Sequence, residues 1–140
     1  MEGGPSGRAD LVARLDKKTA VVEVKGSTRS ARERDAAQLG KWVSGFHAEN
    51  GVRPKGVLIA NAWRRRAPHE RTQPAFPAQM RRFAEEQRFA LVTGEQLLRM
   101  WLYAETQPTR KRAVARSLLD CVGVLADEGE WTPQPALRAA

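Results

Sequence analysis

Glu23-Val24-Lys25 sets a carboxylate and an ammonium within the run Val21-Val22-Glu23-Val24-Lys25, just ahead of Gly26-Ser27. Alternate residues of a strand share a face, so both charges project the same way. A second carboxylate converging there would complete a site for a hard divalent cation such as Mg²⁺, which takes oxygen ligands and keeps several waters. The ammonium can orient or deprotonate a water, or balance charge on a phosphate. Together these groups suit phosphodiester hydrolysis. The plainer alternative is a half-exposed strand with a surface cross-strand ion pair, because a motif this short often matches by chance.

The second carboxylate must come from a neighbouring strand. Leu11, Ala13 and Leu15 alternate with Asp10, Val12, Arg14 and Asp16, a period of two that predicts a strand. Asp16-Lys17-Lys18-Thr19 suits a short turn, and Ala20 to Lys25, rich in valine, predicts the next strand. A turn centred between Lys17 and Lys18 makes Val12 face Glu23 and Asp10 face Lys25. Asp10 then lies about 5 Å from Lys25 and about 7–8 Å from Glu23 across the diagonal. Asp16 sits at the turn, about 20 Å along the strand. This register therefore selects Asp10 over Asp16, and a one-residue slip would turn Asp10 to the opposite face. The Val24 carbonyl, between Glu23 and Lys25, is a further candidate metal ligand.

Downstream, Ser30 and Glu33 have capping-box spacing and predict a helix from near Ala31. Leu39, Trp42, Val43 and Phe46 give that helix an apolar stripe, and Asn50-Gly51 closes it. Gly56 to Asn61 is a buried-strand run, so strand, helix and strand predict parallel pairing with a right-handed crossover. A basic loop follows, from Trp63 through Arg64, Arg65 and Arg66 to Arg71. A helix is expected at about 77–88, on Phe76, Met80, Phe83 and Ala84, and a fourth strand at Phe89–Val92. Thr93 and Gln96 form a second capping box, opening a helix with Leu97, Leu98, Trp101 and Leu102. Pro108 breaks it, and a last helix is expected over about 109–126, with Val114, Leu118, Cys121, Val122 and Leu125 inward. Residues 1–8 read as a flexible lead-in and the tail as frayed. The whole reads as a single domain over 1–140, with a core of about 8–102, a helical extension of about 108–127 and a tail of 128–140.

Composition bounds the partners. The chain carries 24 Lys and Arg against 16 Asp and Glu, a formal charge of +8. That excess points to a polyanion, most often nucleic acid, or to a basic surface without a specific partner. One cysteine, Cys121, excludes an intrachain disulfide and reads as a small core hydrophobe. His47 and His69 lack metal-ligand spacing, which argues against structural zinc. No apolar run is long enough to span a membrane and the N-terminus has no signal region, so the expected setting is cytoplasmic, with no membrane partner.

These residues resemble the restriction-endonuclease-like superfamily of PD-(D/E)XK nucleases. Asp10 resembles the first motif carboxylate, Glu23 the second and Lys25 the motif lysine. Gln38-Leu39-Gly40-Lys41-Trp42 is similar to the Q-x-x-x-Y often found on the following helix, with Trp in place of Tyr, and Gly56–Asn61 and Arg71 are also similar to one subgroup. The resemblance covers about 8–102. It implies an α/β fold with a central mixed sheet of about four strands flanked by helices. The helix and strand that usually open the family core have no counterpart before Asp10, Glu2 being the one acidic residue there, so the chain reads either as the catalytic part of a longer chain or as a minimal core; further domains of a longer chain or a homodimer are the expected partners. It implies Mg²⁺, or Mn²⁺, held by Asp10, Glu23 and Val24, with Lys25 and Gln38 completing the catalytic set.

Three readings follow. The first is a metal-dependent deoxyribonuclease, with Arg64, Arg65, Arg66 and Arg71 on the DNA backbone. The second is a non-catalytic nucleic-acid-binding module on the same fold. The third is an interaction domain whose basic face is incidental. Trp63 reads as a base-stacking ring or a core lid. Arg110, Lys111 and Arg112 open the last helix at its positive dipole end, where a phosphate-bearing partner or fraying would relieve them.

Overall fold

The computed structural model describes residues 9–126 and Trp131; the expected lead-in, Glu2 and most of the tail lie outside them. The elements in order are β1 (Leu11–Leu15), β2 (Lys18–Gly26), α1 (Glu33–Asn50), β3 (Lys55–Asn61), α2 (Ala78–Gln87), β4 (Ala90–Thr93), α3 (Gly94–Thr106), α4 (Lys111–Asp120) and β5 (Gly123–Val124). The sheet runs β1-β2-β3-β4-β5. β1 is antiparallel to β2, and every later pairing is parallel. The fold is therefore α/β with a mixed sheet. It has five strands where four were expected, because Gly123–Val124 extends it beside β4. Two residues are too short a run to carry a period.

Alternation along the strands sends side chains to two cores, one on each face. Val21, Leu58 and Leu91 pack under Leu39 and Val43 of α1 and Met80 and Ala84 of α2. Ala20, Val22, Val57, Ile59, Ala90 and Val92 pack under Met100 of α3 and Val114 of α4, where Trp131 also buries. No helix among the described residues is long and apolar enough to cross a membrane.

Several boundaries move for identifiable reasons. α1 starts at Glu33, capped not by a Ser30–Glu33 pair but by Asp35, whose carboxylate accepts from the Arg32 N–H at 3.1 Å. The Ala31 N–H is already spent on the Ala75 carbonyl, 2.7 Å away, which holds residues before Arg32 out of the helix. α1 closes as expected, with Gly51 at φ 73° donating to the His47 carbonyl. The Thr93–Gln96 box forms reciprocally, at 3.1 and 3.0 Å. α3, however, turns Gln96 and Met100 inward and leaves Leu98, Trp101 and Leu102 half or more exposed. Gln96 sets that rotation, since its amide also donates to the Leu125 carbonyl at 2.9 Å. The last helix ends at Asp120, so Cys121, Val122 and Leu125 follow it rather than line it. The cations that open it meet acids of the same chain: Arg112 pairs with Asp16, and Lys111 with Glu105 at 3.3 Å.

The parallel strands end together. Lys25 is level with Ala60, and Ala60 with Thr93, so Gly26, Asn61 and Thr93 define one carboxyl edge. In open α/β sheets this edge is where ligands bind.

Candidate active site

β2 turns Val21, Glu23 and Lys25 toward α1. Glu23 is 3% exposed, a costly place for a carboxylate unless it is paired and hydrogen-bonded. Both of its oxygens are engaged. Lys25 Nζ lies 2.7 Å from Oε1, and Trp42 Nε1 donates to Oε2 at 3.1 Å. The indole is therefore a half-buried donor that sets the carboxylate's orientation, a role not visible in the apolar stripe to which Trp42 belongs by spacing. Trp42→Phe is expected to lower unfolding stability by about 2 kcal/mol, the worth of a hydrogen bond to a charged group, measurable by urea denaturation. The hydrogen bond to Glu23, helped by the charges of Glu23, Asp10 and Asp35, raises the Lys25 pKa above the ordinary lysine value despite some burial. Lys25 is an ammonium at neutral pH.

The hairpin register differs from the expected one. Leu11 pairs with Val22 and Val12 with Val21, so Asp16-Lys17 makes the turn, with Asp16 at φ 54°. Asp tolerates that left-handed conformation better than most residues. One further step along this register places Asp10 opposite Glu23 and diagonal to Lys25, the reverse of the expected pairing but on the same face. Asp10 Oδ2 accepts the Val24 N–H at 2.8 Å, where β1 has ended. A strand residue's N–H and C=O point to the same side, so the Val24 carbonyl faces that open edge with Asp10. Asp16 lies at the opposite end of β1, bonded to Arg112 and Arg116.

No cluster of three or more acidic, histidine or cysteine side chains able to hold a metal occurs among the described residues. Asp10, Glu23 and the Val24 carbonyl could offer at most two carboxylates and a carbonyl. That fits Mg²⁺, which takes one or two carboxylates and fills the rest of its octahedron with water. It fits poorly any metal needing a full protein cage.

Gln38 and Lys25 line one cleft of about 400 Å³ with Arg32, Arg34 and Asp35. Asp35 is the acidic group that sequence reading passed over. It is buried, caps α1 and lends its charge to Lys25. Its signal was the third-helical-position carboxylate, masked by the stronger-looking Ser30–Glu33 pair.

The basic loop is stitched to the turn after β2. Ser27 N–H donates to the Asn61 carbonyl, Trp63 N–H to Arg29 and Arg64 N–H to Ser27, each at 3.0 Å. The Arg64 side chain consequently lies over Gly26, within 3.6 Å of where a Cβ would stand. Arg64 and Arg65 are exposed and have no ion pair among the described residues. Arg66 lies over the Trp63 ring at 5.0 Å. Arg71 is committed inward: its Nη1 reaches Glu95 at 2.6 Å and Asn61 at 3.2 Å, and its Nε donates to the Arg66 carbonyl at 2.9 Å. It therefore braces the loop against β3 and α3, whereas Arg64 and Arg65 face solvent.

No family model matches this chain, and neither does any curated protein or solved structure. Function is therefore argued from the site. Glu23 and Lys25 pair near the carboxyl edge on the α1 face, Gln38 shares a cleft with Lys25, Asp10 meets the Val24 N–H, Arg64 lies over Gly26, and Arg71 supports the loop.

Proposed function

We propose that this chain is a metal-dependent nuclease domain of restriction-endonuclease-like fold that hydrolyses DNA phosphodiester bonds. The observation carrying this reading is the pairing of Glu23 with Lys25 near the carboxyl edge of the parallel strands, with Asp10 on the Val24 N–H and Glu23 buried and oriented by Trp42. Asp10, Glu23 and the Val24 carbonyl would hold Mg²⁺ or Mn²⁺. The ion would supply Lewis-acid polarisation of the phosphate and a more acidic water. Of the two roles open to Lys25, its raised pKa supports charge stabilisation: the ammonium lies beside the reacting phosphate and keeps its proton. Trp42 fixes the rotamer of Glu23. Arg64, over Gly26, holds a backbone phosphate next to Lys25, and Arg65 adds charge to the approach.

One observation favours a non-catalytic nucleic-acid-binding module: both Glu23 oxygens are already engaged by protein donors, as in a purely structural ion pair. The two readings part on Glu23→Gln. The nuclease loses cleavage and keeps DNA binding; the binding module shows no cleavage to lose. The nuclease reading also sets the alkaline side of the pH profile. If Lys25 acts while protonated, the alkaline side of the profile is expected to be the same in Lys25→Arg, whose guanidinium keeps its charge throughout. A Lys25-dependent fall near neutral pH, absent in Lys25→Arg, would assign Lys25 the base role instead.

A further inference from the structure

A second cleft opens at the same carboxyl edge, across the sheet from Lys25. It encloses about 370 Å³, and its walls include Ala60 and Thr93. Those residues are level with Lys25 on the next two strands, so the cleft begins about 5 Å from Lys25 and extends to about 10 Å along the edge, at the usual strand spacing. Its lining joins the buried apolar Phe76 and Leu125 and the exposed Pro74 to the polar Gln73, Glu95 and Gln96, and carries Arg71, Arg81 and Arg99. Arg71 is anchored by Glu95 and Asn61. Arg81 and Arg99 are exposed, and their guanidiniums make no hydrogen bond or ion pair among the described residues. Trp63 forms part of the wall and sits in a turn at φ 53°, a conformation uncommon for a bulky residue.

Apolar side chains beside two unspent guanidiniums, Arg81 and Arg99, match a ligand that is flat and apolar at one end and anionic at the other. A nucleotide has that form. A base inside a duplex is paired and stacked and cannot enter a cleft, whereas an unpaired base can lie on apolar and aromatic side chains. At ~3.4 Å of axis per nucleotide in a stacked strand, ~10 Å is about three nucleotides. We infer that this cleft holds one unpaired nucleotide of a single strand whose backbone passes Lys25 up to about three nucleotides away, with Arg81 and Arg99 on the phosphate of the bound nucleotide. The substrate class is then single-stranded or frayed nucleic acid rather than intact duplex. This deepens the nuclease reading and rests on Lys25 facing phosphate.

The test reads binding, not cleavage. Fluorescence anisotropy in EDTA, at fixed salt, compares a labelled oligo(dT) strand with a labelled blunt duplex for the wild type and for Arg81→Glu/Arg99→Glu. Both side chains are exposed, and circular dichroism verifies that the variant folds. The neutral pair Arg81→Gln/Arg99→Gln separates loss of contact from added repulsion. The expected result is an affinity for oligo(dT) lower by about tenfold or more, a smaller loss in the Gln pair, and duplex affinity changed by less than about threefold. An equal loss on both probes would reduce Arg81 and Arg99 to general backbone contacts and overturn the inference. So would an unchanged affinity for oligo(dT), or a wild type that does not bind it. Duplex cleavage through Asp10, Glu23 and Lys25 could still hold in each of those cases. A protein without cleavage that shows the selective loss would keep the cleft and discard the nuclease.

Discussion

Glu23→Gln is expected to cut phosphodiester cleavage by about 10³-fold while leaving the protein folded. The substitution is chosen for what it retains. The amide keeps an oxygen to accept the Trp42 N–H, 3.1 Å away in the wild type, and keeps the buried volume. It removes the negative charge that would hold a divalent ion and that pairs with Lys25. Glu23→Ala is the poorer choice, because it strands a half-buried indole N–H and leaves a cavity, each destabilising by about 1–3 kcal/mol. Lys25→Ala should match the kinetic loss, within the 10²–10⁴-fold range typical of removing one electrostatic or proton-handling group. It leaves Glu23 buried without its counter-charge, so its thermal unfolding must be measured beside its rate. Equal cleavage by wild type and Glu23→Gln would remove Glu23 from the chemistry.

The second large effect is on the scaffold. Gly56 opens the buried part of β3, and a Cβ there would stand 2.5 Å from Cδ1 of Phe89. Phe89 cannot swing aside cheaply, because it is 1% exposed and packs edge-on against Phe83 at 6.0 Å. Gly56→Ala is therefore expected to cost about 1–3 kcal/mol through overpacking, against a usual effect near zero or favourable for Gly→Ala in a strand. Chemical denaturation measures this. Phe89→Leu in the Gly56→Ala background should recover part of the loss, so that the double-mutant cycle shows a coupling of about 0.5–3 kcal/mol. Simple additivity would mean that the glycine serves something other than room for the ring.

The parts of this protein legible in sequence are those set by local pattern. The alternation through Val21–Lys25 puts Glu23 and Lys25 on one face whatever the rest of the chain does. The run at Gly56–Asn61, the Asn50-Gly51 stop and the Thr93–Gln96 box are likewise local, and each occurs in the fold. What could not be read depends on distant partners. The hairpin register turned on Asp16 entering a left-handed conformation without an Asn-Gly signal. The start of α1 turned on a bond from Ala31 to Ala75, 44 positions away by numbering. Arg71 looked like one more loop cation until Glu95 on α3 claimed it. Trp42 looked like core, and it is also the donor that orients Glu23. Leu98, Trp101 and Leu102 have helical spacing, yet the capping Gln96 rotates them away from the sheet.

The most direct test of the central claim is cleavage of supercoiled plasmid and of a single-stranded circle by the purified protein, with Mg²⁺ or Mn²⁺ and with EDTA, beside Glu23→Gln. Cutting of at least one substrate that requires the metal, stops with EDTA and disappears in Glu23→Gln is the predicted result. No cutting of either substrate under any metal, or cutting that Glu23→Gln retains, would contradict it.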